Sequence, residues 1–496
     1  MQHVIAIDVG TSGVKAIVIN ETGEVVTDAT TPLLLQTPQP GWAEQDPEAW
    51  WQAACGAVKA ALAAAHVAPE SLAAVGLSGQ MHSSVFLDAA GAVIRPALLW
   101  CDGRTTKQCE QITKAVGPKG LRKWACNPAL EGFTLPKVLW LKKHEPDAFR
   151  RLAKVMLPKD YIRFRLTGTL ATDPSDASAT LMFDTAKQRW SHDILKAVGL
   201  KSSLTVDLVG SAEASGVVSA EGAAATGLPA GIPVAGGGAD NACGAIGVGA
   251  VTPGEAVASW GTSGTVVAPT KTPIVDPGLR AHTFCHAVPN TWYVMGVMLT
   301  AGGAFGWFRD QCAKDLAGQG DANMALNDEA AGVPIGALGL TFLPYLQGER
   351  TPHRDASARG AFIGLSLAHS RAHMSRAVLE GITFGLRDSV SILQKMDLPL
   401  ARMLVTGGGA KSPFLRQLQA DVYGLPVVGV NREEGPAFGA ALLAGVCAGL
   451  WRDIPTACKA TLKRLPAEKP NKQAHKAFAA PYKRYTSLYP LLRGNF

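Results

Sequence analysis

The sequence Gly-Thr-Ser-Gly occurs twice, at residues 10–13 and 261–264, each time between two apolar runs. A strand that breaks at such a turn and then resumes predicts a β-hairpin whose tip offers backbone N–H groups and hydroxyl groups. Donors that converge in this way suit an anion such as a phosphate. One tip carries the carboxylate of Asp8 where the other has Trp260. The two copies therefore predict a shared phosphate site with a metal-binding or charge-handling role on one side.

The first tip combines Asp8 with Gly10, Thr11 and Ser12. Carboxylate and hydroxyl oxygens are ligands that Mg²⁺ accepts, whereas a turn capped by its own Asp and Thr side chains would serve structure alone. Because the pattern recurs at Gly261-Thr262-Ser263, the phosphate or metal interpretation is favoured.

Two predicted strands end in polar residues that suit the hydroxyl groups of a substrate such as a polyol. Gln80, Met81 and His82 follow one strand, and Asp240 and Asn241 follow the other. Ligands of α/β sheets collect at the carboxyl ends of strands. Asp240 is a candidate general base, because phosphoryl transfer needs a group that accepts the hydroxyl proton. The structural alternatives are a helix-capping aspartate and a buried, hydrogen-bonded histidine.

Strands and helices that alternate along the chain must position these residues. Asp46-Pro47-Glu48 predicts the start of a helix with Asp46 as its N-cap, and the Trp50-Trp51 pair is predicted to lie in the core. Strands are predicted at 4–8, 14–20, 73–77, 234–238, 255–260 and 404–406. Further helices are predicted at about 373–395, 413–423 and 436–449, with a domain boundary near 245–255.

Composition narrows the class of protein. With 496 residues, 47% hydrophobic and 18% charged, the chain can bury a large core in two large domains. The net charge is +7, but no run of five basic residues occurs, so nucleic acid is not an expected partner. The uncharged stretches are too short to cross a bilayer, so no membrane partner is expected either.

Cysteine usage and the first residues predict a cytoplasmic protein. Nine cysteines occur without a C-x-x-C motif, which favours reduced thiols over a disulfide framework. The opening MQHVIAID enters a predicted strand without a basic segment, so no signal peptide is expected. Neither G-x-x-x-x-G-K-[ST] nor, after the first strand, G-x-G-x-x-G occurs, which leaves the paired hairpins as the predicted phosphate site.

Several ordered motifs together make nearly the whole chain resemble the FGGY-type carbohydrate kinases, most nearly those that act on D-xylulose. The motifs are DVGTS at 8–12, WAEQDP at 42–47, GQMH at 79–82, LWCDGR at 99–104, GFTLPKVLWL at 132–141, FLPYLQGERTP at 342–352 and GAFIGLSLAHSRAHMSRAVLE at 360–380. The resemblance departs from the family pattern at Ser83, where glycine is usual, at Cys101, often asparagine, and at Ser412, where glycerol kinases have an adenine-contacting asparagine.

The resemblance implies an α/β fold with two ribonuclease-H/actin-like domains around a central catalytic cleft. Residues 1–248 would form the N-terminal domain, which binds the sugar and supplies the catalytic base. Residues 249–496 would form the C-terminal domain, which binds the nucleotide. The cleft would close before phosphoryl transfer, since water in an open cleft competes for the γ-phosphate.

The resemblance also implies roles for individual residues. Asp240 would be the general base, and Asp8 would act in catalysis through Mg²⁺. The sugar would be bound by Gln80, Met81, His82, Asp240 and Asn241. ATP would be bound by Thr11, Ser12, Gly261 and Thr262 at its phosphates and by Gly302, Gly408 and Gly409 along its adenosine.

The activity implied is ATP-dependent phosphorylation of D-xylulose to D-xylulose 5-phosphate, with Mg-ATP between the two hairpins. The GQMH segment favours xylulose, while ribulose, L-xylulose, gluconate and glycerol stay open as substrates. A non-catalytic actin-like ATPase sensor is the alternative of another class, although it would be expected to lack the base at residue 240. The implied partner is a small-molecule sugar, with a possible homodimer through the C-terminal domain.

Overall fold

The computed structural model describes residues 1–318 and 320–496. The strands are β1 His3–Val9, β2 Gly13–Asn20, β3 Val25–Pro32, β4 Glu44–Gln45, β5 Leu72–Gly79, β6 Val85–Leu87, β7 Ala97–Leu98, β8 Lys154–Met156, β9 Ala171–Thr172, β10 Phe183–Asp184, β11 Arg189–Trp190, β12 Asp207–Leu208, β13 Ala214–Val217, β14 Pro233–Ala235, β15 Gly238–Ala239, β16 Gly254–Trp260, β17 Gly264–Thr270, β18 His282–Cys285, β19 Trp292–Met298, β20 Thr341–Leu343, β21 Ala361–Ile363, β22 Leu400–Gly407 and β23 Val427–Gly429.

The α-helices are α1 Pro47–Ala65, α2 Thr106–Gly120, α3 Thr134–His144, α4 Pro146–Arg151, α5 Pro158–Thr167, α6 Pro174–Ala177, α7 His192–Ala197, α8 Ala220–Thr226, α9 Asp240–Gly247, α10 Gly302–Cys312, α11 Ala322–Ala331, α12 Arg371–Lys395, α13 Gly408–Lys411, α14 Pro413–Tyr423, α15 Pro436–Cys447, α16 Ile454–Thr461, α17 Lys472–Ala477 and α18 Ala479–Leu492. Among the residues described, no helix is long and apolar enough to span a membrane.

Two mixed sheets share one topology. In the first, β3, β2 and β1 form an antiparallel meander, β5 runs parallel to β1, and β14 runs parallel to β5. In the second, β19, β17 and β16 form the meander, β22 runs parallel to β16, and β23 runs parallel to β22. The relation between the two Gly-Thr-Ser-Gly segments thus extends to whole sheets.

The strand register corrects one detail of the sequence comparison. Trp260 was matched with Asp8, but Trp260 lies opposite Gly407 as Val9 lies opposite Gly79. Ser259 holds the position of Asp8, because both stand two residues before the first glycine of their tip. At this position the first hairpin therefore has a carboxylate and the second has a hydroxyl group.

Local sequence signals explain the helix starts. Asp46 caps α1 by accepting a hydrogen bond from the Glu48 N–H, as predicted, and Trp50 and Trp51 are buried, which confirms their place in the core. The helix predicted to start at 373 begins instead at Arg371, since Ser370 and the His373 imidazole form a capping box. The helix predicted over 436–449 ends at Cys447.

The strand predicted at 234–238 is interrupted. β14 ends at Ala235, the chain turns through Gly237 with φ +69°, and β15 resumes at Gly238. A Cβ on Gly237 would lie 2.4 Å from the Leu77 carbonyl oxygen, so a side chain has no room there. The turn carries β15 across to the end of β5.

The two halves are joined by a helix of the second half. α15 packs on β1 and β5 of the first sheet and crosses α9. Glycines allow the close approach, because a Cβ on Gly439 would lie 1.9 Å from the Cys243 carbonyl oxygen and one on Gly76 2.0 Å from that of Ala440. A single hydrophobic cluster therefore contains residues of both sheets and both helices.

Candidate active site

The register of the first sheet brings Asp8 and Asp240 together. Asp8 lies opposite Ser78 on β5, and Ser78 lies opposite Gly238 on β15. α9 begins at Asp240 directly after β15. Two carboxylates that are far apart in sequence thus meet at the same edge of the sheet, beside the first hairpin tip.

Asp240 has one occupied and one available carboxylate oxygen. The Asn241 backbone N–H and its side-chain amide both donate to Oδ1, at 2.7 and 2.9 Å. No described residue donates to Oδ2. Burial, with the nearby negative charge of Asp8, raises the pKa of Asp240 to about 7. A carboxylate with that pKa and a free oxygen is suited to take a proton near neutral pH.

Asp8 is the other member of the pair. Burial raises the pKa of Asp8 to about 6, an effect that Ser78 and Lys15 partly offset. Its Oδ1 is buried and receives no hydrogen bond from the described residues. An orphaned carboxylate oxygen beside a phosphate-type turn fits a hard cation such as Mg²⁺, which takes one or two carboxylates together with phosphates and water.

A buried ionic cluster supports the chain that ends in Asp240. Lys159 on α5 contacts Asp160, Asp173 and Asp176 at 2.6, 2.9 and 3.3 Å, and all four side chains are fully buried. Asp173 accepts hydrogen bonds from the backbone N–H and hydroxyl of Ser175.

The cluster reaches the strand before Asp240 through two contacts. The Ser175 hydroxyl accepts a hydrogen bond from the Ala239 N–H at 3.0 Å. The Arg163 guanidinium, which also pairs with Asp160, donates to the Gly236 carbonyl oxygen. Both ends of the Gly236–Ala239 turn are therefore hydrogen-bonded to the buried ionic cluster, directly through Arg163 or by way of Ser175. These contacts fix the position of the backbone from which the Asp240 side chain extends.

Three cavities adjoin one another along the cleft. The first, of about 200 Å³, is lined by Met81, His82, Trp100, Asp240, Asn241, Ser259, Gly261, Ser263, Thr265, Met295, Val297 and Arg350. The second, of about 270 Å³, shares Asp240 and Ser259 with the first. The third, of about 500 Å³, shares Gly261 with both and lies wholly in the second half. We name the first the acceptor cavity and the third the distal cavity.

His82 is held in an unusual backbone conformation. Its φ is +69°, and its carbonyl oxygen accepts hydrogen bonds from the Thr134 hydroxyl at 2.9 Å and from Lys137 Nζ at 3.1 Å. Burial lowers the pKa of Lys137 to about 7. Both donors lie at the start of α3, so this helix fixes a residue whose left-handed conformation is otherwise strained.

The same environment sets the protonation of the imidazole. Burial lowers the pKa of His82 to about 3, so the ring is neutral near pH 7. Nδ1 lies 2.7 Å from the Ala179 carbonyl oxygen, which can only accept, so Nδ1 carries the proton. Nε2 is then an acceptor for a hydroxyl group in the acceptor cavity.

Met81 and Asn241 form part of the same wall. The Asn241 amide lies 3.5 Å and the Tyr293 hydroxyl 3.8 Å from Met81 Sδ. The structure thus places Met81, His82, Asp240 and Asn241 around one cavity. Their types combine a hydrogen-bond acceptor, an amide and an apolar wall, which suits a small polyhydroxylated molecule.

Gln80 lies beneath the hairpin tip and does not line the acceptor cavity. It contacts the Thr11 hydroxyl at 3.4 Å and accepts a hydrogen bond from the Ser83 hydroxyl at 3.0 Å. Trp100 donates from its ring nitrogen to Thr11 and from its backbone to Ser83. Ser83, the residue where the family usually has glycine, therefore joins Gln80 to the wall of the cavity.

Both hairpin tips present unused donors. Ser12, Gly261 and Thr262 are exposed, and the backbone N–H groups of Thr11, Ser12, Thr262 and Ser263 donate to none of the residues that are described. Such N–H groups can bind phosphate oxygens. The second tip lies near Asp240, since Ser259 and Gly261 line the same cavities as Asp240.

The remaining glycines lie around the second tip. Gly302 donates its N–H to the Gly261 carbonyl oxygen at 2.9 Å, and a Cβ there would lie 2.6 Å from that oxygen. A Cβ on Gly409 would lie 2.7 Å from the Trp260 ring. Gly408 lines the distal cavity, whereas Gly302 and Gly409 line none of the three cavities.

Several lining residues were missed by reasoning from the sequence. They include Trp100, Ser259, Met295, Val297 and Arg350 in the acceptor cavity and Lys411, Arg416, Arg432 and Glu433 in the distal cavity. Trp100 and Arg350 lie within quoted motifs, so those motifs carried the signal. Cys101 lines a different, neighbouring cavity, and Ser412 is buried as the N-cap of α14.

Models of the FGGY family of carbohydrate kinases match most of the chain: the N-terminal domain matches residues 3–247 and the C-terminal domain residues 256–448. The chain belongs to this family. The predicted family and α/β fold are confirmed, and the protein is a phosphotransferase that uses ATP. This agrees with a carboxylate, Asp240, that lines both the acceptor cavity and the cavity next to it, which shares Gly261 with the distal cavity.

Relatives of this FGGY kinase align with it over nearly their whole length. The xylulose kinase of Bacillus subtilis is 38% identical, covering 99% of this chain and 97% of that protein. The crystal structure of xylulose kinase from Rhodospirillum rubrum is 31% identical with a TM-score of 0.90, covering 99% of each chain. The crystal structure of gluconate kinase from Lactobacillus acidophilus is 26% identical with a TM-score of 0.91, covering 99% of this chain and 98% of that chain.

Proposed function

We propose that this FGGY kinase transfers the γ-phosphoryl group of ATP to the C5 hydroxyl of D-xylulose, giving D-xylulose 5-phosphate and ADP. The observation that carries the mechanism is the position of Asp240, which lines both the acceptor cavity and the cavity next to it. The substrate is inferred from full-length relatives named xylulose kinase.

The reaction needs one proton acceptor and an aligned hydroxyl group. Asp240 Oδ2 takes the proton of the sugar hydroxyl group. The hydroxyl oxygen forms a bond to the γ-phosphorus, and the bond from that phosphorus to the oxygen that bridges it to the β-phosphate breaks, so that ADP leaves. The two hydrogen bonds from Asn241 hold Oδ1 and so orient Oδ2. His82 Nε2 accepts a hydrogen bond from another hydroxyl group of the sugar.

Mg²⁺ is proposed as the cofactor, with Asp8 as its protein ligand. The orphaned Oδ1 of Asp8 fits this ion. When bound, Mg²⁺ would neutralise charge on the phosphates. The donors of the two tips, at Thr11, Ser12, Gly261 and Thr262, would hold the phosphate oxygens.

We assign sugar binding mainly to residues 1–248 and nucleotide binding to residues 249–496. Four predicted sugar ligands line the acceptor cavity, and the distal cavity with Gly408 lies in the second half. Its size of about 500 Å³ suits an adenosine. We also propose that the protein is cytoplasmic and forms a homodimer through the second half. Light scattering on the purified protein tests whether it is a dimer.

A coupled ADP-release assay tests the substrate. The panel contains D-xylulose, L-xylulose, D-ribulose, L-ribulose, D-gluconate, glycerol and no sugar, each with Mg-ATP. We expect D-xylulose to give the highest kcat/KM. Preference for another sugar would retain the phosphotransferase and overturn the substrate, and hydrolysis of ATP independent of sugar would overturn the proposed reaction.

A further inference from the structure

Arg350 lies between the acceptor cavity and a fourth cavity of about 470 Å³. The fourth cavity is lined by Trp100, Cys101, Asp102, Gly103, Thr106, Leu130, Glu131, Gly132, Leu299, Gln347, Glu349, Arg350, Arg354, Asp355 and Ala356. Trp100 and Arg350 line both cavities, whereas Asp240 lines the acceptor cavity and the cavity on its nucleotide side. Arg350 and Asp240 therefore mark opposite ends of the acceptor cavity.

The Arg350 guanidinium has no ionic or hydrogen-bonded partner in the part of the chain that is described. By contrast, Arg104 nearby pairs with Asp102 at 2.6 Å and with Glu44 at 2.7 Å. Burial lowers the pKa of Arg350, although Glu349 and Glu131 oppose that effect. A guanidinium that is partly withdrawn from water and carries five N–H donors is costly unless an acceptor meets it.

The backbone around Arg350 is fixed, so the guanidinium is presented from a defined position. The Arg350 and Leu299 N–H groups both donate to Glu349 Oε1, at 2.7 and 3.0 Å. Thr351 donates its N–H to the Val297 carbonyl oxygen and accepts from the Val297 N–H, at 2.9 and 3.0 Å. Val297 itself lines the acceptor cavity. The unpaired cation is thus a built feature of this wall.

We propose that Arg350 binds the non-reacting end of the acceptor and selects molecules that carry a carbonyl or carboxylate oxygen there. The inference rests on the proposed function, because it takes the hydroxyl at Asp240 as the one that is phosphorylated. An open-chain ketose presents its C2 carbonyl and C1 hydroxyl oxygens to Arg350. The corresponding polyol replaces the carbonyl by a hydroxyl group whose own proton needs an acceptor, which a guanidinium lacks.

The test compares D-xylulose with xylitol in the wild type, in Arg350→Gln and in Arg350→Lys. We expect the wild type to prefer D-xylulose by about tenfold or more in kcat/KM, because losing a hydrogen bond to a charged group costs about 1.5–3 kcal/mol. Arg350→Gln should raise the KM of D-xylulose and bring the ratio between the two acceptors close to one, while the KM of ATP stays unchanged.

Arg354→Gln is the matched control. Arg354 is exposed and lies four residues after Arg350 in the sequence. It lines the fourth cavity but not the acceptor cavity. The Arg354→Gln variant should keep the wild-type ratio of kcat/KM between D-xylulose and xylitol. Thermal melts verify that each variant folds. Arg350→Lys retains the charge without the planar fork and should have an intermediate ratio. A wild type that does not distinguish the two acceptors, or a folded Arg350→Gln that retains the preference, overturns the inference.

The same assay separates this inference from the proposed function. A wild type that uses D-xylulose, with the ratio unaltered in Arg350→Gln, would retain the proposed function and reject the role of Arg350. A wild type that prefers D-gluconate would reject the proposed substrate. In that case a large loss of D-gluconate turnover in Arg350→Gln would still support the inference, since a carboxylate pairs with a guanidinium through two hydrogen bonds.

Discussion

At the scale of residues, chemistry depends on how two carboxylates are placed. Asp8 and Asp240 are near enough for the charge of one to raise the pKa of the other, and Asn241 occupies one oxygen of Asp240. Ser259, at the position equivalent to Asp8 in the second sheet, carries no charge. The two hairpins therefore share backbone N–H donors at their tips that no described residue accepts, but only the first hairpin has a carboxylate at this position.

Replacing the proposed base tests its role directly. Asp240→Ala should lower kcat by on the order of 10²–10⁴, because proton transfer in the transition state is lost, and should leave the KM of the sugar within a few-fold of wild type. Steady-state kinetics with D-xylulose measures both. A variant with near-normal turnover would remove Asp240 from the role of base.

Asp8→Asn tests the electrostatic coupling of the pair. Asp240 must be deprotonated to act, so with a pKa of about 7 the activity should decline as the pH falls below about 7. Removing the negative charge of Asp8 lowers the pKa of Asp240, and the acidic limb of kcat/KM should move to lower pH. Saturating Mg²⁺ should move the wild-type limb in the same direction.

The Asp8→Asn variant should also need more Mg²⁺ or lose activity, since an amide is a poorer ligand than a carboxylate. Titration of Mg²⁺ at fixed ATP measures this. An unchanged response to Mg²⁺ together with an unmoved acidic limb would contradict both roles of Asp8.

At the scale of elements, the strand ends are held by buried polar contacts. The turn before Asp240 is tied to Lys159 through Asp173 and Ser175, and the backbone of His82 is tied to the start of α3. The supporting residues themselves, Lys159, Asp173, Ser175, Thr134 and Lys137, line none of the four cavities. They determine where the reacting side chains begin, which sets the geometry of catalysis.

Ser175→Ala removes the link between Asp173 and the Ala239 N–H. We expect kcat to fall by roughly tenfold while the KM values of sugar and ATP change little, because misplacing the base affects the transition state more than binding. Ser375→Ala is the control, since Ser375 is equally buried and bonds a carbonyl oxygen of the second half. Equal effects of the two variants would indicate a general loss of stability instead.

Gly439→Ala tests the crossing of α15 and α9. Its new methyl group would overlap the Cys243 carbonyl oxygen, and we expect a loss of about 1–3 kcal/mol in the free energy of unfolding. Denaturant melts measure it. Gly306→Ala is the control, because the nearest atom to its Cβ is 3.9 Å away within helix α10, and it should be neutral or stabilising. A wild-type melting curve for Gly439→Ala would show that the helices can separate without cost.

At the scale of the whole molecule, the cavities form a continuous path from Arg350 through Asp240 to Lys411. Both halves line the acceptor cavity and the cavity next to it, whereas the distal cavity lies wholly in the second half. Helix α15 joins the halves by packing on β1 and β5 of the first sheet. Such an arrangement permits the tips to approach each other when ligands occupy the cleft.

Closure should be visible in solution. The radius of gyration from small-angle X-ray scattering should be smaller with D-xylulose and a non-hydrolysable ATP analogue together than with either alone, because the two ligands together contact more of both halves than either ligand does by itself. Bringing the halves together would exclude the water that competes for the γ-phosphate. An unaltered radius with both ligands bound would contradict closure.

The sequence by itself determined the local features. The limits of α14 at Pro413 and Tyr423 and the cap of α1 at Asp46 follow from short-range signals. The two glycine-rich tips and the ordered motifs identified the family, because residue types at fixed short spacing need no tertiary information. The family resemblance also marked Met81, His82, Asp240 and Asn241, which the structure gathers around one cavity.

Only the tertiary structure decided which distant residues meet. The equivalence of Asp8 and Ser259, the break of the strand at Gly237 and the packing of α15 on the first sheet depend on register and on close backbone approaches between distant segments. Short-range patterns contain no such information, because steric fit between segments is fixed only when they pack. For the same reason the unpaired guanidinium of Arg350 became visible only when its surroundings were known.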